Sequence, residues 1–86
     1  MHVAVEGKIL EVSCTAEGAL KLTLARPIYN LELQTANYRQ VKFVTAGGNP
    51  PDGFSPCRQL KGMRARITHK AGGADAGEIV SIELRN

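Results

Sequence analysis

Apolar and polar residues alternate with a period of two along most of this chain, and that alternation predicts strands. Val3, Val5, Gly7 and Ile9 share one face of a first strand. The apolar phase then moves to Leu10, Val12 and Cys14. Such a switch predicts a bulge or sharp bend near Gly7, because one extra residue sends every later side chain to the other face. A long first strand bent in this way can pair with different neighbours along its two halves.

The next residues, Thr15 to Gly18, read as a turn. The alternation resumes at once, with Leu20, Leu22 and Leu24 inward and Lys21 and Thr23 outward, the hairpin partner of the first strand. Pro27 ends it. Residues 28–34 (IYNLELQ) read as a strand extension or an extra strand, with Ile28, Leu31 and Leu33 imperfectly in phase. A turn at Thr35, Ala36 and Asn37 precedes a predicted strand from Tyr38 to Thr45, with Val41 and Phe43 inward. The glycine and proline clusters of Gly47 to Pro56 exclude regular helix and central strand. A short helical turn is placed at Ser55 to Leu60, with Ser55 as cap and Pro56 at its first position. Met63, Ala65 and Ile67 then alternate with Arg64, Arg66 and Thr68 in a fourth main strand. After the loop AGGADAG, the last strand EIVSIELR turns inward either Val80, Ile82 and Leu84 or the Ile79 side. No amphipathic helix of ten residues, internal repeat or linker is visible.

Composition changes this picture little. The chain has 86 residues, which predicts one domain spanning 1–86. A domain of that size has a thin core, and closing a small sheet into a barrel uses it economically. The formal charge of +3 makes nucleic-acid partners more plausible without requiring them. The cysteines, Cys14 and Cys57, are too few for a disulfide scaffold, and two reduced thiols in a cytoplasmic protein are expected. The opening residues lack a basic region and contain Glu6 and Glu11, so no signal peptide is predicted. No apolar run is long enough for a membrane helix, and no membrane association is expected.

Three stretches, VEGKILEV in the bent strand, QLKGMRARI at a turn and strand, and GEIVSIEL at the end, together resemble the OB (oligonucleotide/oligosaccharide-binding) pattern. The resemblance covers residues 3–85 and is to a fold, carrying no diagnostic motif. It implies an all-β, five-stranded Greek-key barrel. It departs from that pattern in lacking a clear helix between strands three and four, which leaves an SH3-like barrel as the alternative. The resemblance also implies a ligand face on strands two and three, near Lys21, Thr23, Tyr38, Gln40 and Lys42.

Enzyme chemistry is not nominated by any residue pattern. No HExxH, CxxC, GxSxG or GxxxxGK[ST] occurs, and His2 and His69 are far apart. No metal site or cofactor is expected, and His69 reads as a partly solvated structural residue. The glycine clusters read as hairpin loops, since no helix follows them. What remains is charge. Arg58, Lys61, Arg64, Arg66 and Lys70 fall between Asp52 and Asp75 with no acidic residue among them. On a strand, Arg64 and Arg66 point the same way about 6.5–7 Å apart. That separation is close to the spacing of successive phosphates on an extended single strand. The candidate nucleic-acid contacts are Lys61, Arg64, Arg66 and Lys70 from this run, joined by Lys21, Lys42 and, as a stacking surface, Tyr38 from the face that the resemblance implies. The competing expectation is a solvated strand whose arginines pair with Glu78 or Glu83. A second functional class is a protein-interaction or homo-oligomeric module pairing through the IYNLELQ edge.

Overall fold

The computed structural model describes residues 1–45, 54–74 and 76–85. Its elements are β1 (His2–Cys14), β2 (Leu20–Ala25), β3 (Asn30–Thr35), a 3-10 turn (Tyr38–Gln40), β4 (Lys42–Val44), α1 (Pro56–Gln59), β5 (Arg64–Lys70) and β6 (Ile79–Arg85). The strands form one six-stranded sheet in the order β3-β2-β1-β5-β6-β4. All neighbours are antiparallel except β4, which runs parallel to β6. The fold is thus all-β, as expected, but the sheet is not closed into a barrel. The β3 edge meets the segment just before β6 at an isolated parallel bridge between Gln34 and Glu78, where Gln34 N–H donates to the Gly77 carbonyl at 3.0 Å.

The bend in β1 organises everything else. Its first half, His2 to Lys8, pairs with β5, and Ile9 to Cys14 pairs with β2. The register slips between Ile9 and Glu11, slightly beyond the place the phase switch suggested. Gly7 still has a structural task. A Cβ there would be driven into the Ala25 carbonyl oxygen, so only glycine lets the end of β2 cross this close to β1.

The inward residues follow the alternation closely. Ile9, Leu20, Leu22, Leu24, Leu33, Ile67 and Ile82 are at most 2% exposed, and Leu60, which caps the C-terminus of α1, is fully buried. Each such side chain contributes about 1.5–3 kcal/mol through removal from water. In β6 both proposed phases contribute, since Ile79, Ile82 and Leu84 are buried around a slip opposite Thr68 and His69. His69 belongs to the core at 8% exposure and is not the partly solvated residue expected. In β5 it takes the inward parity of Ala65 and Ile67.

The segment after β3 differs from expectation. Tyr38 to Gln40 is a 3-10 turn and only Lys42 to Val44 is strand. Asn37 Oδ1 accepts the Arg39 N–H at 3.0 Å, and that side-chain bond offers the backbone a turn in place of a ladder. The irregular reading of 47–56 lies outside the described residues up to 53. α1 does begin at Pro56 after Ser55, although the Ser55 hydroxyl makes no capping bond. Instead, the Gln59 side chain reaches back to the Ser55 N–H at 2.7 Å.

Cys14 and Cys57 form a disulfide, correcting the expectation of reduced thiols. The two residues are 43 apart in sequence, and nothing in that spacing reveals that α1 packs against the end of β1. The bridge fastens the crossover before β5 onto the first hairpin. Among the described residues, no helix is long and apolar enough to cross a membrane.

Candidate polyanion-binding surface

Strand parity assigns outward residues of β1, β5, β6 and β4 to one face. Reading across the ladders, Lys8, Arg64 and Arg85 form one row. Glu6, Arg66 and Glu83 form the next. Ala4, Thr68, Ser81 and Lys42 form a third. Lys70 closes the β5 series opposite His2. Directly opposed side chains stand about 4.5–5.5 Å apart at Cβ, and neighbours along a strand face about 6.5–7 Å.

Ion pairing sorts these cations. Arg85 Nη2 lies 3.2 Å from Glu6 Oε1 and 3.7 Å from Glu83 Oε1. Lys70 pairs with Glu78 at 3.5 Å and Lys61 with Glu11 at 3.4 Å. Lys8, Lys42, Arg64 and Arg66 are exposed and make no ion pair among the described residues. The expected neutralisation of Arg64 or Arg66 by Glu78 or Glu83 is therefore absent from this arrangement. Glu83 stands opposite Arg66 in register, but its carboxylate is held by Arg85.

The candidates named from sequence separate into two groups. Lys42, Arg64, Arg66 and Lys70 share the outer face just described. Lys21 and Tyr38 lie elsewhere. Lys21 stands between Ser13 and Gln34 on the outer side of β2. It borders a groove of about 520 Å³ with Ser13, Thr15, Gln34, Thr35 and Ala36. The neighbouring row there is Glu11, Thr23 and Glu32, so the β2–β3 face is not basic. Tyr38 packs partly against the core, its N–H bonds the Gly18 carbonyl at 2.9 Å, and Arg39 sits 5.4 Å from its ring centroid. Its turn conformation and these contacts remove it from the strand face where stacking was expected. Lys61 lies in the turn before β5, tied to Glu11.

Lys8 was not singled out from sequence. Its signal was its outward parity in β1, but only the pairing of β1 with β5 brings it beside Arg64. Among the described residues no cluster of histidine, cysteine or carboxylate side chains is arranged to hold a metal ion. No protein-family model, curated protein or solved structure matches this chain.

Proposed function

We propose that the chain is an OB-type module that binds an extended polyanion, single-stranded nucleic acid in the first instance, on the outer face of β1, β5 and β6. Several features favour the OB-type reading. β1 is shared between two ladders, as in a barrel whose first strand bends. β3 and β4 follow each other around one 3-10 turn, the first pairing with β2 and the second in parallel with β6. Together they take the place of a single third strand, and the Gln34–Glu78 bridge lies where it would complete the circuit.

The observation that carries the functional reading is the set of exposed cations Lys8, Arg64, Arg66 and Lys42 on one sheet face, which make no ion pair among the described residues. This face differs from the β2–β3 face implied by the resemblance, whose charges are mixed. Contact through phosphates alone carries little sequence information, so selectivity among bases is low. Fluorescence anisotropy with a labelled oligo-dT at about 50 mM salt tests the proposal. Binding that weakens as salt rises supports it, and no binding at that salt ends it.

A second reading rests on a separate observation. β3 is an edge strand, and Ile28 and Tyr29 beside it are 93% and 58% exposed. Strand addition by a protein partner would use that edge. Light scattering at high concentration tests its self-association form, which a monomer contradicts. The Cys14–Cys57 bridge favours a compartment where disulfides persist over the cytoplasm expected from sequence.

A further inference from the structure

Ordinary cross-strand pairing does not explain the charges around Arg66. This arginine stands in register between Glu6 on β1 and Glu83 on β6, the placement that normally gives an ion pair on a sheet surface. Both carboxylates are instead engaged by Arg85, a residue of the adjacent row. To meet Glu6, the Arg85 side chain crosses over β5 from β6 to β1. The consequence falls on Arg64. Its register neighbours are Lys8 and Arg85, so it faces like charge on both sides. Like charges directly opposed destabilise a sheet, and an anion placed between them relieves that repulsion.

We infer that Lys8 with Arg64, and Arg66 one step along β5, form a site for two successive phosphates, kept open by Arg85 holding Glu6 and Glu83. The inference rests on the polyanion reading above and adds to it a place, a direction and a positioning residue. The guanidinium forks of Arg64 and Arg66 suit two-pronged hydrogen bonding to phosphate oxygens, and Lys8 supplies a point charge. The site runs along β5, because the two arginines succeed each other on that strand. No tyrosine or phenylalanine lies on the outward face of β1, β5 or β6, so the site grips a backbone and does not stack bases.

A thermodynamic cycle isolates the role of Arg85, because residues acting through one another are non-additive. Anisotropy with labelled oligo-dT would compare Arg85→Ala in the wild-type background and in a Glu6→Gln, Glu83→Gln background. If Arg85 works by occupying the two carboxylates, its loss weakens binding about fivefold in the first background and less than about twofold in the second. An equal loss in both makes Arg85 an ordinary phosphate contact and overturns its assigned role. Lys8→Gln should weaken binding about three- to tenfold, and wild-type affinity in that variant overturns the site while leaving the polyanion reading intact. A second arm titrates inorganic pyrophosphate and follows backbone amide shifts by NMR. Shifts centred on Lys8, Arg64 and Arg66 support the site even if oligo-dT fails to bind, in which case only the nucleic-acid reading is lost. Absence of those shifts overturns the site. A sulfated oligosaccharide that displaces oligo-dT, and itself depends on Lys8, keeps the anion site and overturns nucleic acid as its occupant.

Discussion

Removing the Cys14–Cys57 bridge is the sharpest test of how this small fold is held. The bridge closes a loop with a sequence separation of 43, which contains the turn of the first hairpin, β2, β3, β4 and the crossover into α1. Closing a loop of that length lowers the entropy of the unfolded chain by about 13 cal/mol/K, or about 4 kcal/mol at room temperature. Domains of this size shift by about 4–8 °C per kcal/mol, so the midpoint should fall by roughly 20 °C. The assay is thermal and urea unfolding followed by circular dichroism, on oxidised protein, on protein held in reductant, and on Cys14→Ser/Cys57→Ser. Reduction and double substitution should agree, because both leave the contacts of the β-sheet in place. A loss below about 1 kcal/mol would refute the reasoning, since the bridge would then constrain nothing that the sheet does not already fix. Free thiols in the folded protein purified without reductant would refute it more directly.

Further substitutions separate parts of the account. Gly7→Ala should cost roughly 1–3 kcal/mol or prevent folding, because the added methyl meets the backbone oxygen of Ala25, and a stability equal to wild type in urea melts contradicts the close crossing. Glu32→Pro should be tolerated, because Glu32 shares the edge-facing parity of Gln34, whose N–H points away from β2. Leu33→Pro, by contrast, loses a β2–β3 ladder bond as well as a fully buried side chain and should fall about 1 kcal/mol or more below Leu33→Ala, so equal urea midpoints for Leu33→Pro and Leu33→Ala contradict the stated register. His69→Leu should stay within about 1 kcal/mol of wild type: Nε2 is buried without a partner among the described residues, and the Lys70 carbonyl beside Nδ1 already accepts the Gly77 N–H at 2.8 Å. A loss above about 2 kcal/mol in chemical denaturation would show that the imidazole makes an essential bond.

Local order was legible in the sequence because a half-buried strand writes its burial as alternation. Leu20, Leu22 and Leu24 face inward, and Lys21 outward, as their spacing dictates. The same rule placed Arg64 and Arg66 outside and Ala65 and Ile67 inside. What alternation cannot show is which strands meet. Lys8 and Arg64 are on different strands, and their opposition depends on the β1–β5 register. The disulfide was illegible for the same reason. Tyr38 was misplaced because Asn37, a residue whose side chain competes with the backbone ladder, turned the predicted strand into a 3-10 turn. The bend itself was signalled by the phase switch in β1, and its position shifted because the slip falls at Ile9 to Glu11 while Gly7 serves the crossing.

The claim that the outer face of β1, β5 and β6 binds a polyanion is tested most directly by the salt dependence of oligo-dT binding. Each neutralised phosphate on a single strand contributes a slope of about −0.7 to the logarithm of affinity against the logarithm of salt. Two phosphates, one held by Lys8 with Arg64 and the next by Arg66, therefore predict a slope of about −1.4, reduced by about 0.7 in the Arg66→Gln variant. No detectable binding at about 50 mM salt, or a slope near zero that Arg66→Gln leaves unchanged, would contradict the account.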